Sequence, residues 1–526
     1  MILLAATAGM ARSPVTPPLM PGGGAGPFSA LASGLGIDGL TRDGGAAVAF
    51  VVLGLFVGAF LLGLREAWRE RISVRTVLWL GIAFQLLAGV LPLLLSRDAY
   101  SYAIYGRIDA VYHGNPYVIT PIHFQGDQLY PFVGQVWRDT PVVYGPAFSL
   151  LSGLMARLIS SPTGLVWGFK ALAGFAGIGT LVLIAAAAKR LAPRRAAFAV
   201  AAFGWNPAVV AFTTGGGHND MLVALCVAGA FALLVRGGTF DRLRGTDGPG
   251  TGRWPRHELL AVAILTLGVL VKASVGPALV LLIVASAASR PAGSRGRVVV
   301  VEIAIAAALT IAFALPYWQT TNPTLGLAEL AKHREWLSAT RLLMAVFGGI
   351  GETLWGATGR TAVEAVIRTA LVAVAVAAVV LVAIALVRRI RRPGLVAALG
   401  ASWGWALLVT VLASPVLFPW YTAWILPVVF VLPKAGRNAV IALAAVLSFT
   451  RALAEPELLP GLYNVLLAIG HDVIGPLFLL FLIWAVVRVV AIGRGRSSLD
   501  DPDLLAGVPP AAGRSGGDEP AGGDQR

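Results

Sequence analysis

Long apolar runs separated by short charged connections set the pattern of this chain. Runs of roughly 15–25 residues recur from residue 46 to residue 492, close to the ~20 apolar residues that carry an α-helix across a bilayer, whereas a β-barrel shows alternating strands of about ten residues. The pattern predicts an all-α, polytopic integral membrane protein. Crossings are expected near 46–64, 76–95, 164–188, 197–212, 219–236, 258–271, 277–289, 298–316, 362–387, 395–413, 422–433, 438–451 and 473–492, about thirteen in all. The runs at 277–289 and 422–433 are short for a crossing and read either as half-helices or as longer helices whose ends are more polar. Residues 1–45 are rich in Gly, Pro and Ala without helical periodicity and read as a flexible lead; MILLAATAGMA is too short to span and lacks the basic start of a cleaved signal peptide. Residues 493–526 have the composition of a disordered tail.

One interval breaks the pattern. Residues 96–145 are polar and aromatic and hold Asp98, Asp109, Asp127 and Asp139 between apolar segments; connections of this length are usually functional. Within it, SYAIYGRIDAVYHG spaces Tyr102, Tyr105 and their aliphatic neighbours three and four apart, which suits an amphipathic helix on the membrane surface. Residues 146–159 read as a second, short interfacial helix.

Composition supports the membrane class and adds orientation. The chain has 526 residues, 57% hydrophobic and 13% charged, with a mean hydropathy of +0.79, where a soluble chain carries about 25% charged residues. Its net charge of +15 is concentrated in the connections 65–75, 189–195, 290–297, 388–392, 434–437 and 488–496. The positive-inside rule places these in the cytoplasm, so the basic balance reports topology rather than nucleic acid. The 96–145 loop then lies outside, the N-terminus begins outside and the C-terminus ends inside. Residues 388–392 also admit a lipid-binding reading. Cys226 stands alone, which excludes a disulfide framework and a cysteine metal site within one chain.

The unusual residues of the external connections carry the candidate chemistry. Asp98 stands where a membrane helix meets the polar loop, where water and nearby cations keep a carboxylate ionised. It reads either as a general base or as the N-cap of the helix that follows. GGGHND at 215–220 offers backbone that a ligand approaches closely and a helix N-terminus suited to an anion, or simply a capped glycine turn. His218 has no second His or Cys nearby, against zinc. Lys272, an external cation, either pairs a lipid phosphate or snorkels to the interface, and Arg334 and Arg341 admit the same readings or a solvated loop. Tyr144, Trp420 and Tyr421 stack on sugar or belong to the aromatic belt.

In order along the chain, RDAYSYAIYGR, HGNPY, WRDTPVVYGP, GGGHNDML and PWYTAW resemble the actinobacterial polyprenol-phosphomannose-dependent α-(1→6)-mannopyranosyltransferases, the MptA/MptB type within the GT-C glycosyltransferases. The likeness spans residues 46–492. It implies a GT-C-like transmembrane catalytic domain in a bacterial cell membrane with its site on the extracytoplasmic face, a polyprenyl-phosphate-mannose donor and a lipid-anchored mannan acceptor, as in lipomannan and lipoarabinomannan assembly. GT-C enzymes use an acid in the first large external loop, and the matching position is Asp98, which would take the acceptor proton in an inverting single displacement. A leaving polyprenyl phosphate needs positive charge or oriented donors. Lys272, His218 and Arg107 are the nominees, with Arg138 and Arg334 behind them, while Tyr100, Tyr144, Asn219, Asp220, Trp420 and Tyr421 are candidates to line sugar or isoprenoid. Many GT-C members have a paired acid at this loop; here Asp98-Ala99-Tyr100 lacks it, so no metal or other cofactor is expected. The readings from other classes are a transfer of another polyprenyl-phosphate sugar such as arabinose, a lipid-linked sugar flippase or transporter, which should show related halves, and a non-enzymatic scaffold. No internal repeat is evident.

Overall fold

The computed structural model describes residues 1–24, 26–238, 256–319, 325–326, 338–390, 392–450, 465 and 468–504. Helix after helix follows in chain order: α1 (Ile2–Ala8), α2 (Pro27–Gly34), α3 (Arg42–Trp68), α4 (Val74–Val90), α5 (Asp98–Ala110), α6 (Gln135–Arg138), α7 (Pro146–Leu158), α8 (Pro162–Leu191), α9 (Ala196–Gly204) and α10 (Asp220–Gly237). Beyond them come α11 (Arg256–Val271), α12 (Gly276–Ala288), α13 (Ala292–Ala314), α14 (Ala339–Arg389), α15 (Leu395–Ala413), α16 (Lys434–Thr450) and α17 (Gly475–Gly493). The described residues contain no strand. Local sequence sets many starts: Thr41, Ser73 and Ser161 each accept the backbone N–H three residues on, and Pro146 and Pro162 occupy first turns, where no N–H is needed.

The burial pattern identifies the solvent. Val51, Leu55 and Leu62 on α3, Val372, Val376 and Val380 on α14, and Leu477, Leu480 and Val487 on α17 all face outward. Apolar stripes of this extent are unstable in water and are what a bilayer contacts. By contrast α15 and α9 are buried almost throughout and form the centre.

The expected thirteen crossings are not found among the described residues. Seven helices are long and apolar enough to span, an eighth if the bent pair 193–204 and 208–214 counts as one, and two shorter apolar helices accompany them. The difference has local causes. Residues 197–212 bend by 40° at Asn206-Pro207, where proline removes an N–H and clashes with the preceding turn. Residues 422–433 form no α-helix: two 3₁₀ stretches, Pro419–Trp424 and Leu426–Val431, carry the chain through the bundle. Pro419 and Pro427 account for this, and it is tolerated because every residue of both stretches is buried in protein rather than lipid. The reading of 362–387 understates α14, which runs from 339 to 389 with a break at Gly356 (φ +68°).

Two other expectations change. The first 45 residues are not a loose lead: α1 and α2 form, Val15 is fully buried, and the Leu95 N–H donates to the Val15 carbonyl at 2.9 Å. Helix α5 does not lie on a surface either, since Ala99–Gly106 and Ile108 are buried beneath α7 and the rest of the loop. Gly106 permits this close approach, as a Cβ there would meet the Ser152 carbonyl. Of the tail, residues from 505 lie outside the described residues, but its first part is tied down: Asp500 pairs with Arg389, and Asp501 with Arg195 and Arg437.

The bundle therefore has two unlike ends. The C-terminal ends of α4, α11 and α15 and the N-terminal end of α10 meet at one. The basic connections and the Asp500 and Asp501 ion pairs occupy the other.

Candidate active site

Four chain breaks bring the site together. After α4, Leu91-Pro92 ends the helix and Leu95 adopts a left-handed conformation (φ +57°), turning the chain so that Asp98 opens α5. A π-helical turn over 208–214 runs into Gly215–Gly217, and Gly217 (φ +66°) makes the reversal that sets His218, Asn219 and Asp220 at the start of α10. Helix α11 ends at Val271, immediately before Lys272, and the Gly145 N–H at the close of the polar loop donates to the Val271 carbonyl at 3.0 Å. The 3₁₀ stretch from Pro419 supplies the aromatic wall.

Asp98 Oδ2 accepts from the Tyr102 hydroxyl at 3.4 Å and the Tyr144 hydroxyl at 3.5 Å, while the Asp98 N–H donates to Ser96 Oγ at 3.1 Å. His218 Nδ1 lies 3.4 Å from Asp98 Oδ2 and 4.0 Å from Asp220 Oδ2. Asp220 Oδ1 accepts from Lys272 Nζ and from Trp424 Nε1, each at 2.9 Å. Lys272 Nζ also lies 4.5 Å from the centre of the Tyr421 ring and 5.3 Å from that of Trp424, within cation–π range. His218 stacks on Trp420 at 3.8 Å, and Trp420 on Phe418 at 4.3 Å, so the imidazole is fixed in plane. The Tyr102 hydroxyl shares its one proton between Asp98 Oδ2 and Asn219 Oδ1, the latter at 3.3 Å, joining the two segments.

The electrostatics favour an ionised Asp98. Burial alone raises its carboxyl, but the His218 contact and the charges of His218 and Lys272 outweigh this and hold it below its ordinary value. Burial, then the Asp98 charge, pushes the Tyr102 and Tyr144 hydroxyls well above the usual phenol value, so both remain donors. With 20% of its side chain accessible, Asp98 is far more open than His218 or Asp220. An ionised, reachable carboxylate steadied by two hydroxyls can take a proton from an incoming alcohol.

Around it, polar atoms await partners. His218 Nε2, Asn219 Nδ2 and Asp220 Oδ2 are buried without a hydrogen bond among the described residues, while His218 Nδ1 has the 3.4 Å contact to Asp98. Each such group costs about 1–3 kcal/mol if left unmet, and three in three consecutive residues beside an accessible carboxylate offer hydrogen bonds that a polar ligand can use. No three His, Cys, Asp or Glu side chains among the described residues converge as a metal-binding set.

Asp98, His218, Asn219, Asp220, Lys272, Tyr144, Trp420 and Tyr421 thus converge as one cluster. Other nominees stand elsewhere. The Tyr100 hydroxyl donates to the Pro18 carbonyl at 3.0 Å and its ring lies against Phe132. Arg107 is held by Asp127 at 2.8 Å. Arg138 donates to the Val133 and Pro131 carbonyls and covers the Tyr130 ring. Arg334 lies outside the described residues. Tyr102 and Trp424 belong to the cluster but escape the sequence reading; spacing marks Tyr102, four residues beyond Asp98 on an α-helix, whereas Trp424 lies in a 3₁₀ stretch where that rule gives no signal.

Comparison with known proteins gives this cluster a chemical context. Residues 21–288 match the family model described as the MptA/B family, alpha-(1→6)-mannopyranosyltransferase, N-terminal domain. Alpha-(1→6)-mannopyranosyltransferase A of Mycobacterium tuberculosis is 26% identical over 429 residues, covering 75% of this chain and 76% of the relative. A probable alpha-(1→6)-mannopyranosyltransferase of Mycolicibacterium smegmatis is 27% identical over 438 residues, covering 77% of this chain and 73% of that one. No solved structure matches. The matched stretch contains Asp98, His218, Asp220 and Lys272, and the chain belongs to the MptA/MptB family of α-(1→6)-mannopyranosyltransferases: it is a membrane-embedded mannosyltransferase.

Proposed function

We propose that the chain moves mannose from a polyprenyl-phosphate-mannose donor to a lipid-anchored α-(1→6)-mannan acceptor, on the extracytoplasmic face of a bacterial cell membrane, by a single inverting displacement. Asp98 takes the proton of the acceptor hydroxyl as that oxygen attacks the anomeric carbon. The bond from that carbon to the lipid phosphate breaks, and the phosphate leaves with the electron pair. Lys272 and the His218 ring face the developing negative charge, Tyr102 and Tyr144 hold the carboxylate, and the Trp420–Tyr421 wall packs against sugar or isoprenoid. Asn219 Nδ2 and Asp220 Oδ2 are placed to bond sugar hydroxyls. The scheme routes no step through a divalent metal.

The observation that carries this reading is the juxtaposition of an accessible carboxylate, held low by His218 and Lys272, with three buried polar atoms, His218 Nε2, Asn219 Nδ2 and Asp220 Oδ2, that have no hydrogen bond among the described residues. A base for the alcohol and a set of unused bonds for the sugar stand side by side. The test supplies membranes containing the protein with radiolabelled polyprenyl-phosphomannose and a short α-(1→6)-mannoside, with a chelator present, and digests the product with anomer-specific mannosidases. The expected result is acceptor extension released only by α-mannosidase. A β-linked product, no transfer from this donor, or transfer that requires added Mn²⁺ or Mg²⁺ contradicts the scheme.

A further inference from the structure

A lysine away from the chemistry joins the two segments that carry it. Lys170 lies in the first third of α8, inside an apolar run, and is 1% exposed. An ammonium at such a place is expensive unless every donor is used. Its Nζ donates to three carbonyls: Ala88 at 3.2 Å, Pro92 at 3.3 Å and Gly215 at 2.6 Å. Among the described residues no carboxylate lies within ion-pair reach of it. The carbonyls come from two chain segments. Ala88 belongs to the last turn of α4, and Pro92 to the stretch that leads through Leu95 to Asp98. Gly215 opens the glycine turn that leads to His218.

The junction is closed from other sides as well. The Leu94 N–H donates to the same Gly215 carbonyl at 3.0 Å. Thr214 bonds Gln85 across the same two segments. At Gly217 (φ +66°) an added Cβ would lie 3.2 Å from Lys170 Cγ and 3.6 Å from Ala99 Cβ. Lys170 therefore packs its stem against the His218 turn and spends its charge on the backbone of the Asp98 segment and of that turn.

We infer that Lys170 is a positioning residue for mannosyl transfer, a buried cation that clamps the end of α4 to the 215–218 turn and so fixes Asp98 against His218. This rests on the reading of Asp98 as the base. The 3.4 Å separation of His218 Nδ1 and Asp98 Oδ2 is spanned by two stretches of irregular backbone, and the shared donor couples them alongside the Leu94–Gly215 and Thr214–Gln85 bonds. A cation suits this task because it meets three acceptors at once, which no neutral side chain of similar length does. The groups that face Asp98 from the packed elements are Tyr102 on α5, Tyr144 at the loop end, His218 and Asp220 at the start of α10, and Lys272 after α11; loosening the clamp moves His218 and Asp220 relative to the rest.

The experiment measures kcat, KM for the donor and the pH–rate profile of Lys170→Met, Lys170→Arg and Gly217→Ala in the full-length protein in nanodiscs. Displacement of a reacting group by about 1 Å costs on the order of 10²-fold in rate, so Lys170→Met is expected to lower kcat by roughly that factor. KM should stay within about twofold, because Lys170 is buried and directs its donors to backbone carbonyls. As His218 moves off, the Asp98 carboxyl rises and the acid limb of the profile shifts to higher pH. Lys170→Arg, which keeps charge and donors, should restore part of kcat. Gly217→Ala presses on the same junction while leaving the lysine, and should give the same signature if Lys170→Met does not fold. A second arm places Lys170→Met in an Asp98→Asn background, where the clamp has nothing left to position and the two losses should not multiply. Unchanged kcat and acid limb in both Lys170→Met and Gly217→Ala, or a fall in thermal stability with no shift of the limb, overturns the positioning role. Independent, multiplying losses overturn its action through Asp98. Full activity of Asp98→Asn alone instead removes the base reading, and is distinguishable because it needs no change at Lys170.

Discussion

At the scale of single residues, the buried pair Lys272–Asp220 can be separated from its chemistry. Lys272→Met leaves the buried Asp220 carboxylate without its cation, which costs about 3–5 kcal/mol, and on the proposed mechanism removes a positive charge from the leaving phosphate, where loss of a stabilising group costs on the order of 10²–10³-fold in kcat. Adding Asp220→Asn removes the stranded charge, so the double variant should recover much of the lost melting temperature and little of the rate. The single variant should also move the pH profile. Asp98 is held below its ordinary 3.8 in part by Lys272, so wild-type activity should persist until the pH falls through that lowered value, and Lys272→Met should lose it at higher pH. The same sign applies to stability: what the depressed Asp98 contributes is present above its unfolded value and is lost as pH falls through the folded one. Much of this cluster was legible in the chain, since Asp98, GGGHND, Lys272 and PWYTAW each interrupt an apolar pattern. Tyr100 was misplaced for a geometric reason: two residues along a helix turns a side chain by about 200°, so Tyr100 points away from the face that Asp98 and Tyr102 share. Arg107 and Arg138 stand out in the sequence for their charge alone, and their partners Asp127 and the Val133 and Pro131 carbonyls are set by the fold of the loop.

At the scale of elements, the site depends on places where regular helices stop. The glycine turn, the Leu91–Leu95 reversal, the end of α11 and the 3₁₀ stretches each expose backbone that a continuous helix would hide, and protein rather than lipid surrounds them. The close packing of α5 on α7 makes this concrete. Gly106→Ala would drive a methyl into the Ser152 carbonyl, and overpacking of this kind costs about 1–3 kcal/mol. The expected outcome is a lower melting temperature together with reduced turnover, because α5 carries both Asp98 and Tyr102; a variant with unchanged stability would show that the two helices can part freely. The sequence conveyed where apolar runs lie but not how they are broken. Pro419 and Pro427 were visible signals against an α-helical crossing at 422–433, as Pro207 was against a straight one at 197–212. The packed N-terminal residues lacked such a signal, since Val15 and Pro18 gain their roles only from Leu95 and Tyr100, about 80 residues away in the chain.

At the scale of the whole molecule, the division of labour is between two ends of one helical bundle. Periodicity and length were enough to assign an all-α membrane protein, because lipid contact demands outward apolar stripes whatever the tertiary fold. They were not enough to count crossings, because a buried apolar segment and a lipid-facing one read alike in sequence. The basic end is closed by the ion pairs of Asp500 and Asp501. The other end holds the one cluster among the described residues in which an accessible carboxylate, a lysine, a stacked histidine and unmet polar atoms coincide. A transferase needs such a place where a lipid-borne donor and a polar acceptor meet. The most direct test is turnover of Asp98→Asn, which keeps the shape of the carboxylate and removes its basicity, with wild-type protein level and melting temperature as controls. Loss of a general base costs about 10²–10⁴-fold, so transfer of mannose from polyprenyl-phosphomannose should fall by at least two orders of magnitude. Turnover near the wild-type rate would contradict the account.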